Sequence, residues 1–587
     1  MATRLSLLLR GGCAITSSPL GLRLAESALE AFAGFDGMLE INLAGSGGDR
    51  VFPVKTVKGG LFRLISLKPR RYNLMTRGEI RGFFAGVARS PVNTADAASV
   101  KCRRNSLPAA ALRVPKILVF RSLLNAELED SSCIHQASWF LASALKAGGA
   151  RVVFSDLKLT LSGEDFERGE ELSGLLRENA DISFAALTLS ESYFRGAEKL
   201  ARFIKKKLPA CRIAVGGIMP SRYPFNVLAN LPSADILVRG DGENIFPEAV
   251  SILCGSAPVE VVEQKLMGLN GFAYRDSSRI VLSRIDASNA ERELDGSRLD
   301  FGMLTRRDVA GGGTLYLSRG CMNACSFCVS LNKGGYRAVS TVKAKEWLAA
   351  YKERVLELFG SEAGAPARSF GLGFYDDDFF VDKEWALEIL GFMKGSGLFV
   401  GFLQAAVKSF FRKGRLNQDF LKRLDSSVFR SREVPDKKKT DIFIGTENFS
   451  GSELKRLGKG YGYREIKRVA EALSAKKIRQ SHHFIMCNAF TRAVDLRKNI
   501  AALTALNKTC SPYFDILRPG RLFSFFGTPS YRRAVAAGLS GFINVKDVLS
   551  VRGFPEYDYP LVGGDSPAER EADAMLRAVP SRLPSIK

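Results

Sequence analysis

Residues 314–328 read TLYLSRGCMNACSFC, and the organisation of the whole chain follows from this stretch. Thr314–Leu317 is a short apolar run, expected as a buried strand, and Gly311–Gly313 before it marks a domain boundary. Cys321, Cys325 and Cys328 follow at once, spaced x3 then x2. Three thiolates in one loop can converge on a soft metal centre. A structural zinc normally takes four ligands; here the local count is three, and only His482, His483 and Cys487, expected on a later strand, stand as residues to complete one. A [4Fe–4S] cluster on three cysteines leaves one iron open to a ligand, which makes such a loop catalytic rather than structural. The other seven cysteines are scattered singly, which is not a disulfide framework and points to a reducing compartment.

Working outward toward the C-terminus, apolar runs alternate with amphipathic stretches. Strands are expected at Thr314–Leu317, Ser369–Tyr375, Phe399–Ala405, Asp441–Ile444, Ser481–Met486 and Tyr513–Leu517. Helices are expected between them, among them Thr341–Phe359, Lys383–Lys394 and Tyr463–Lys476. Six strand–helix units over residues 313–532 predict a partial (β/α)6 barrel, with the chemistry just after each strand's carboxyl end. Residues 533–587 remain as a C-terminal tail.

Toward the N-terminus a second alternation covers residues 115–258. Strands are expected at Lys116–Phe120, Arg151–Phe154, Asp181–Leu189, Cys211–Val215 and Asp235–Val238, with helices at Trp139–Ala147 and Gly196–Lys207. This pattern predicts a doubly wound, Rossmann-like parallel sheet whose ligands bind at the carboxyl ends of the strands. Gly216-Gly217 closes the fourth strand; such a pair either lets backbone approach a ligand or makes a tight strand–helix turn. Residues 259–312 read as a connector, with Gly268–Tyr274 and Arg279–Leu282 as a small hairpin crossing between domains.

The 587 residues are too many for one ordinary domain, and 46% hydrophobic with 25% charged residues excludes a disordered chain. No run of about 18 apolar residues appears, so no membrane-spanning helix is expected. The formal net charge of +24 invites anionic partners, but there is no RNA-binding signature and no basic stripe interleaved with aromatics, which argues against nucleic acid. Residues 1–114 form a basic extension with 17 Lys/Arg against 7 Asp/Glu and no assigned role. No acid precedes Glu26, so residues 1–25 are compatible with an organelle import leader, set against the expectation of a cytoplasmic protein.

The cysteine loop resembles that of the radical SAM superfamily. Phe327 fills the aromatic position before the last cysteine, and Arg319-Gly320 precedes the first as in many members. Asp376-Asp377-Asp378-Phe379-Phe380 resembles the acidic element after the second strand. Gly445-Thr446-Glu447-Asn448 resembles the family's Gly-x-Glu-Ser element, Leu457-Gly458-Lys459-Gly460 the segment that follows it, and Gly527-Thr528-Pro529 a late turn. One departure is Ile485–Thr491, where the glycines of an adenine-packing turn are missing. Residues 115–256 look like the cobalamin-binding domain often placed before such a barrel, although no Asp-x-His-x-x-Gly motif follows the first strand; His135, the one histidine there, reads as a helix-start residue.

The resemblance implies a [4Fe–4S] cluster on Cys321, Cys325 and Cys328 and an S-adenosylmethionine (SAM) cofactor cleaved reductively to a 5′-deoxyadenosyl radical. It implies SAM contacts from Phe327, Asp376, Asp377, Asp378, Gly445 and Glu447, and cobalamin contacts from Gly216 and Gly217. It further implies a small-molecule or natural-product substrate and a reducing donor such as flavodoxin or ferredoxin. With cobalamin, methylation of an unactivated carbon is the expected reaction; radical cyclisation or rearrangement without cobalamin is the enzymatic alternative. A non-catalytic basic adaptor with a structural metal site is the alternative of another class; it explains the charge but not the ordered motifs after successive strands.

Overall fold

The computed structural model describes most of residues 114–536 with their side chains, apart from 122–133, 284–293, 361–370, 428–439 and shorter interruptions. Before residue 114 it describes the backbone of four short strands. The expectations for residues 1–38 and for the tail after residue 536 fall largely outside the described residues. The chain divides into two compact units.

In the first unit, Lys116–Phe120, Arg151–Ser155, Ile182–Thr188, Arg212–Gly216 and Ile236–Val238 form a parallel sheet. Its strand order, counted along the chain, is 2-1-3-4-5, with the direction reversing between Lys116–Phe120 and Ile182–Thr188. Ligands on such sheets bind at that reversal, outside the carboxyl ends. The apolar runs make these strands because a parallel sheet is buried on both faces; Ile117, Leu118, Ile213 and Leu237 are wholly buried. Helix Phe194–Lys207 buries Ala197, Leu200, Ala201 and Ile204 at helical spacing, and its Lys205, Lys206 and Lys207 suit the negative end of the helix dipole.

The hairpin expected as a crossing connector instead extends this sheet. Phe272–Asp276 pairs antiparallel with Ile236–Val238, then with Arg279–Leu282, and Leu39–Asn42 pairs with the last strand. Residues 259–268, read as the start of that connector, form a helix, Val259–Gly268. An antiparallel pair has the same sequence pattern whichever sheet it joins, so the alternation alone did not assign it.

The second unit is built on six parallel strands paired in chain order: Thr314–Leu315, Leu372–Phe374, Val400–Ala405, Asp441–Glu447, Arg479–Cys487 and Phe514–Arg521. Helices Thr341–Phe359, Lys383–Gly395, Gln418–Ser427, Tyr463–Ala475 and Ala493–Cys510 alternate with them. Among the described residues the first and last strands do not pair, so the sheet is open. Helix Thr341–Phe359 shows how the sequence sets an element. Ser340 caps it by accepting from the Lys343 amide at 3.1 Å, and Gly360 ends it at φ +59. Ala344, Trp347, Leu348, Tyr351 and Val355 make its buried stripe, worth roughly 1.5–3 kcal/mol for each large side chain. No helix among the described residues is long and apolar enough to cross a membrane.

Candidate functional site

The cysteine loop leaves the first strand of the second sheet through Ser318–Arg319. This pair bonds antiparallel to Arg337–Ala338 and closes the base of the loop. Cys325 is buried, Cys321 and Cys328 are half-buried, and none of the three is in a disulfide. The Asn323 side-chain amide donates to Cys321 Sγ at 3.1 Å, and the Ser330 amide to Cys328 Sγ at 3.3 Å. Ser326, between the cysteines, is the anchor. Its amide donates to the Leu457 carbonyl at 2.9 Å, its hydroxyl to the Arg456 carbonyl at 2.9 Å, and its Oγ meets Ser530 Oγ at 2.8 Å. The Ser530 amide returns a bond to the Ser326 carbonyl at 3.0 Å. The loop is thus held between the end of helix Gly451–Leu457 and the start of helix Pro529–Ala536. Gly458 is required at this contact: its φ is +72, and a Cβ there would stand 3.0 Å from the Ala324 carbonyl.

Among the described residues, no three His, Cys, Asp or Glu side chains converge on a single ion. A four-iron cube does not need that convergence, because each thiolate binds a different iron and the sulfurs stand apart. Three cysteines outside any disulfide in one anchored loop, two of them receiving N–H bonds, suit such a cluster.

The acidic element alternates in direction. Asp376 and Asp378 point into the core, where Asp376 accepts from the Leu317 amide at 3.2 Å, from the Ser318 amide and from the Ser318 hydroxyl at 2.5 Å. Asp378 accepts from Ser409 Oγ at 2.6 Å and from the Ala406 and Phe380 amides at 3.3 Å. Burial pushes the two carboxyls up, to about 7 and about 6, against the hydrogen bonds that lower them. Asp377 points out and accepts from the Gly320 amide at 3.2 Å and the Ser330 hydroxyl at 3.0 Å, tying together both ends of the cysteine segment. All three residues implied as SAM contacts therefore accept hydrogen bonds from the chain itself.

Glu447 ends the fourth strand at φ +66, a left-handed conformation that is strained for a residue with a Cβ. Its Oε1 lies 3.2 Å from Lys459 Nζ, a buried ammonium. Lys459 also sits over the Phe327 ring, 5.6 Å from its centroid, and 5.8 Å from that of Tyr461. The Tyr461 hydroxyl donates to the Gly445 carbonyl at 2.6 Å. A Cβ on Gly445 would crowd Glu447 Oε1 at 3.2 Å, so the glycine makes room for the pair. Phe327, Gly445 and Glu447, named from the sequence, are thus brought together. Lys459 and Ser326 were not singled out, although Lys459 stood inside a quoted motif; a lysine between two glycines was the available signal.

His482 and His483 face opposite sides of their strand, as neighbours must. His482 is buried between Thr446 Oγ1 at 2.6 Å and Gln480 Oε1 at 2.9 Å, and burial pushes its imidazole down to about 3. His483 meets the Phe443 ring at 5.8 Å. The two imidazoles do not converge as a ligand pair for zinc. On the same side as His483 a row of rings runs from just past the first two strands across the next three: Tyr316, Tyr375, Phe402, Phe443 and His483, with neighbouring centroids 4.7–6.4 Å apart. Tyr375 keeps 43% of its surface exposed, whereas Phe374, Leu403 and Ile442 on the opposite face are wholly buried. The glycine-free stretch after the fifth strand forms a turn around Asn488, whose amide donates to Thr491 Oγ1 at 2.9 Å and whose Oδ1 accepts from the Phe490 amide at 3.0 Å.

In the first unit, Gly216-Gly217 lies at the carboxyl end of its strand. Gly217 has φ +103, and a Cβ there would stand 2.9 Å from the Leu189 carbonyl, so this glycine serves the turn. His135 precedes helix Gln136–Ala147, with its Nδ1 3.1 Å from Ser138 Oγ, and burial pushes its imidazole down to about 4. It stands as a helix-start residue.

Residues 132–250 match the family model of the B12 binding domain. The structure of the cobalamin-dependent S-adenosylmethionine radical enzyme OxsB, with aqua-cobalamin and S-adenosylmethionine bound, superposes with a TM-score of 0.56 at 17% identity. It covers 72% of this chain and 61% of its own. The chain has the fold of a cobalamin-dependent radical SAM enzyme. At that identity the likeness is one of fold. An uncharacterised methyltransferase of Pyrococcus horikoshii is 23% identical over 292 residues, 48% of this chain and 55% of that protein. The anaerobic magnesium-protoporphyrin IX monomethyl ester cyclase of Cereibacter sphaeroides is 25% identical over 195 residues, 32% of this chain and 30% of that protein. The chain therefore spans about half, or less, of the length of these curated relatives.

Proposed function

We propose that the chain is a radical SAM enzyme in which Cys321, Cys325 and Cys328 hold a [4Fe–4S] cluster and the B12-binding-like unit holds cobalamin. The anchored loop of three cysteines outside any disulfide, at the carboxyl end of the first strand, carries this reading. The second unit is read as a partial (β/α)6 barrel, since its parallel strands run in chain order. When bound, the cluster and SAM supply one-electron chemistry, the reductive cleavage of the sulfonium bond that yields a hydrogen-abstracting radical.

The chain's own residues position and shield. Ser326, Asp377 and Gly458 fix the loop. Phe327 lies under the Lys459 ammonium, beside the last cysteine. Glu447 offers a carboxylate to the SAM amine or ribose, and the aromatic row gives the substrate a dry wall. Gly216 and Gly217 lie at the strand end where a corrin or its nucleotide tail would be received. His135 is held at its helix start, with Nδ1 3.1 Å from Ser138 Oγ, and cobalamin would be received without the Asp-x-His-x-x-Gly motif.

Carbon methylation is the leading reaction, because a B12-binding match and a methyltransferase relative occur together. The cyclase relative favours radical ring closure as the second reading. The test is anaerobic incubation with SAM and a strong reductant. Formation of 5′-deoxyadenosine and methionine, abolished in the triple C321A/C325A/C328A variant, supports the assignment. Equal cleavage by the triple variant refutes it. Methylated product requiring added cobalamin selects methylation over cyclisation.

A further inference from the structure

The Glu447–Lys459 pair has an orientation that the proposed chemistry has not used. Lys459 is fixed between Gly458 at φ +72 and Gly460 at φ +64, a turn that sends its side chain inward. Its ammonium lies over the ring of Phe327, the residue just before the third cysteine, and a Cβ on the neighbouring Gly458 would stand 3.7 Å from Cys325 Cα. Glu447 reaches Lys459 at 3.2 Å from a strained backbone. The ammonium of the pair therefore lies at the cysteine loop, and the carboxylate is 3.2 Å from that ammonium. Both groups are nearly removed from water, with side-chain exposures of 7% and 12%, so solvent and salt screen them weakly. Burial works against the Lys459 ammonium, but the neighbouring Glu447 carboxylate raises its pKa above the ordinary lysine value.

We propose that this pair sets the reduction potential of the cluster, Lys459 raising it and Glu447 lowering it. The inference rests on the cluster assignment above. The step concerned is the transfer of one electron from a reduced flavodoxin- or ferredoxin-class donor, which is oxidised by one electron; no bond is made or broken. The added electron increases the negative charge beside Cys325 and Phe327. A nearby ammonium stabilises that state and a nearby carboxylate opposes it. Lys459 and Glu447 act here as positioning groups for charge, not as cluster ligands.

The test is a redox titration, followed by electron paramagnetic resonance, of the full chain with cluster reconstituted and no SAM added. Iron content is matched between variants. K459M is expected to shift the reduction equilibrium about tenfold toward the oxidised cluster, a fall of about 59 mV for one electron. E447Q is expected to move it in the opposite direction, and K459R to stay near wild type. Opposite signs for the two neutral variants are the signature, since general loosening of the loop would not produce them. Shifts of the same sign, or no shift, at matched iron content overturn the proposal. If K459M retains no cluster, E447Q decides alone, and an unchanged or lowered potential there overturns it. A wild-type chain without a cluster would instead sink the functional assignment itself.

Discussion

Asp376 shows how one buried side chain is bound into the architecture of a site, through the Leu317 and Ser318 amides and the Ser318 hydroxyl. Its folded-state pKa, about 7, lies above the ordinary 3.8 because burial favours the neutral form. The folded chain therefore binds this proton more tightly than the unfolded chain does. The resulting stability is present below about pH 4 and is lost as pH rises toward 7, a change on the order of a few kcal/mol. D376N mimics the neutral form. Urea unfolding of the cluster-free chain across that window should show a flatter pH dependence for D376N; an unchanged slope would count against the account. For Glu447, loss of a bond to a charged group costs about 1.5–3 kcal/mol, so E447A should weaken SAM binding roughly tenfold to a hundredfold while iron content holds. Unchanged affinity by calorimetry would remove Glu447 from the site. The three aspartates were legible as a motif. That two of them point inward was not, because their commitments are to Ser318 and Ser409, side chains 58 and 31 residues distant.

Among the elements, the strands and helices were legible wherever apolar periodicity was strong. Helix Thr341–Phe359 and strand Lys116–Phe120 occur with the expected bounds. The hairpin at residues 272–282 was visible, but its partner sheet was not, since local pattern carries no information about distant pairing. The clamp on the cysteine loop was hidden for a similar reason: Ser326 meets Arg456 and Ser530, 130 and 204 residues away. S326A removes these two side-chain bonds; the Arg456 carbonyl keeps its bond from Arg533 at 2.6 Å, but the buried Ser530 hydroxyl loses its bond to Ser326. The expected cost is about 1–3 kcal/mol by denaturant unfolding, with faster loss of iron to a chelator. Wild-type stability and iron retention in S326A would show that the clamp is incidental.

For the whole molecule, the order of the two α/β runs was readable because each repeats its own strand–helix period. The cofactor of the first unit was harder to read, because the histidine motif that would declare it is missing. Full-length protein should bind added hydroxocobalamin with no protein histidine on cobalt, and H135A should leave the bound spectrum unchanged. A spectral change in H135A would contradict the placement of His135 against Ser138. The second unit carries the heavier claim, and metal analysis tests it most directly. After anaerobic reconstitution, iron and acid-labile sulfide are measured in wild type and in the C321A/C325A/C328A variant. The account predicts about four of each per wild-type chain and none in the variant; equal iron in both, or zinc in place of iron, would contradict it.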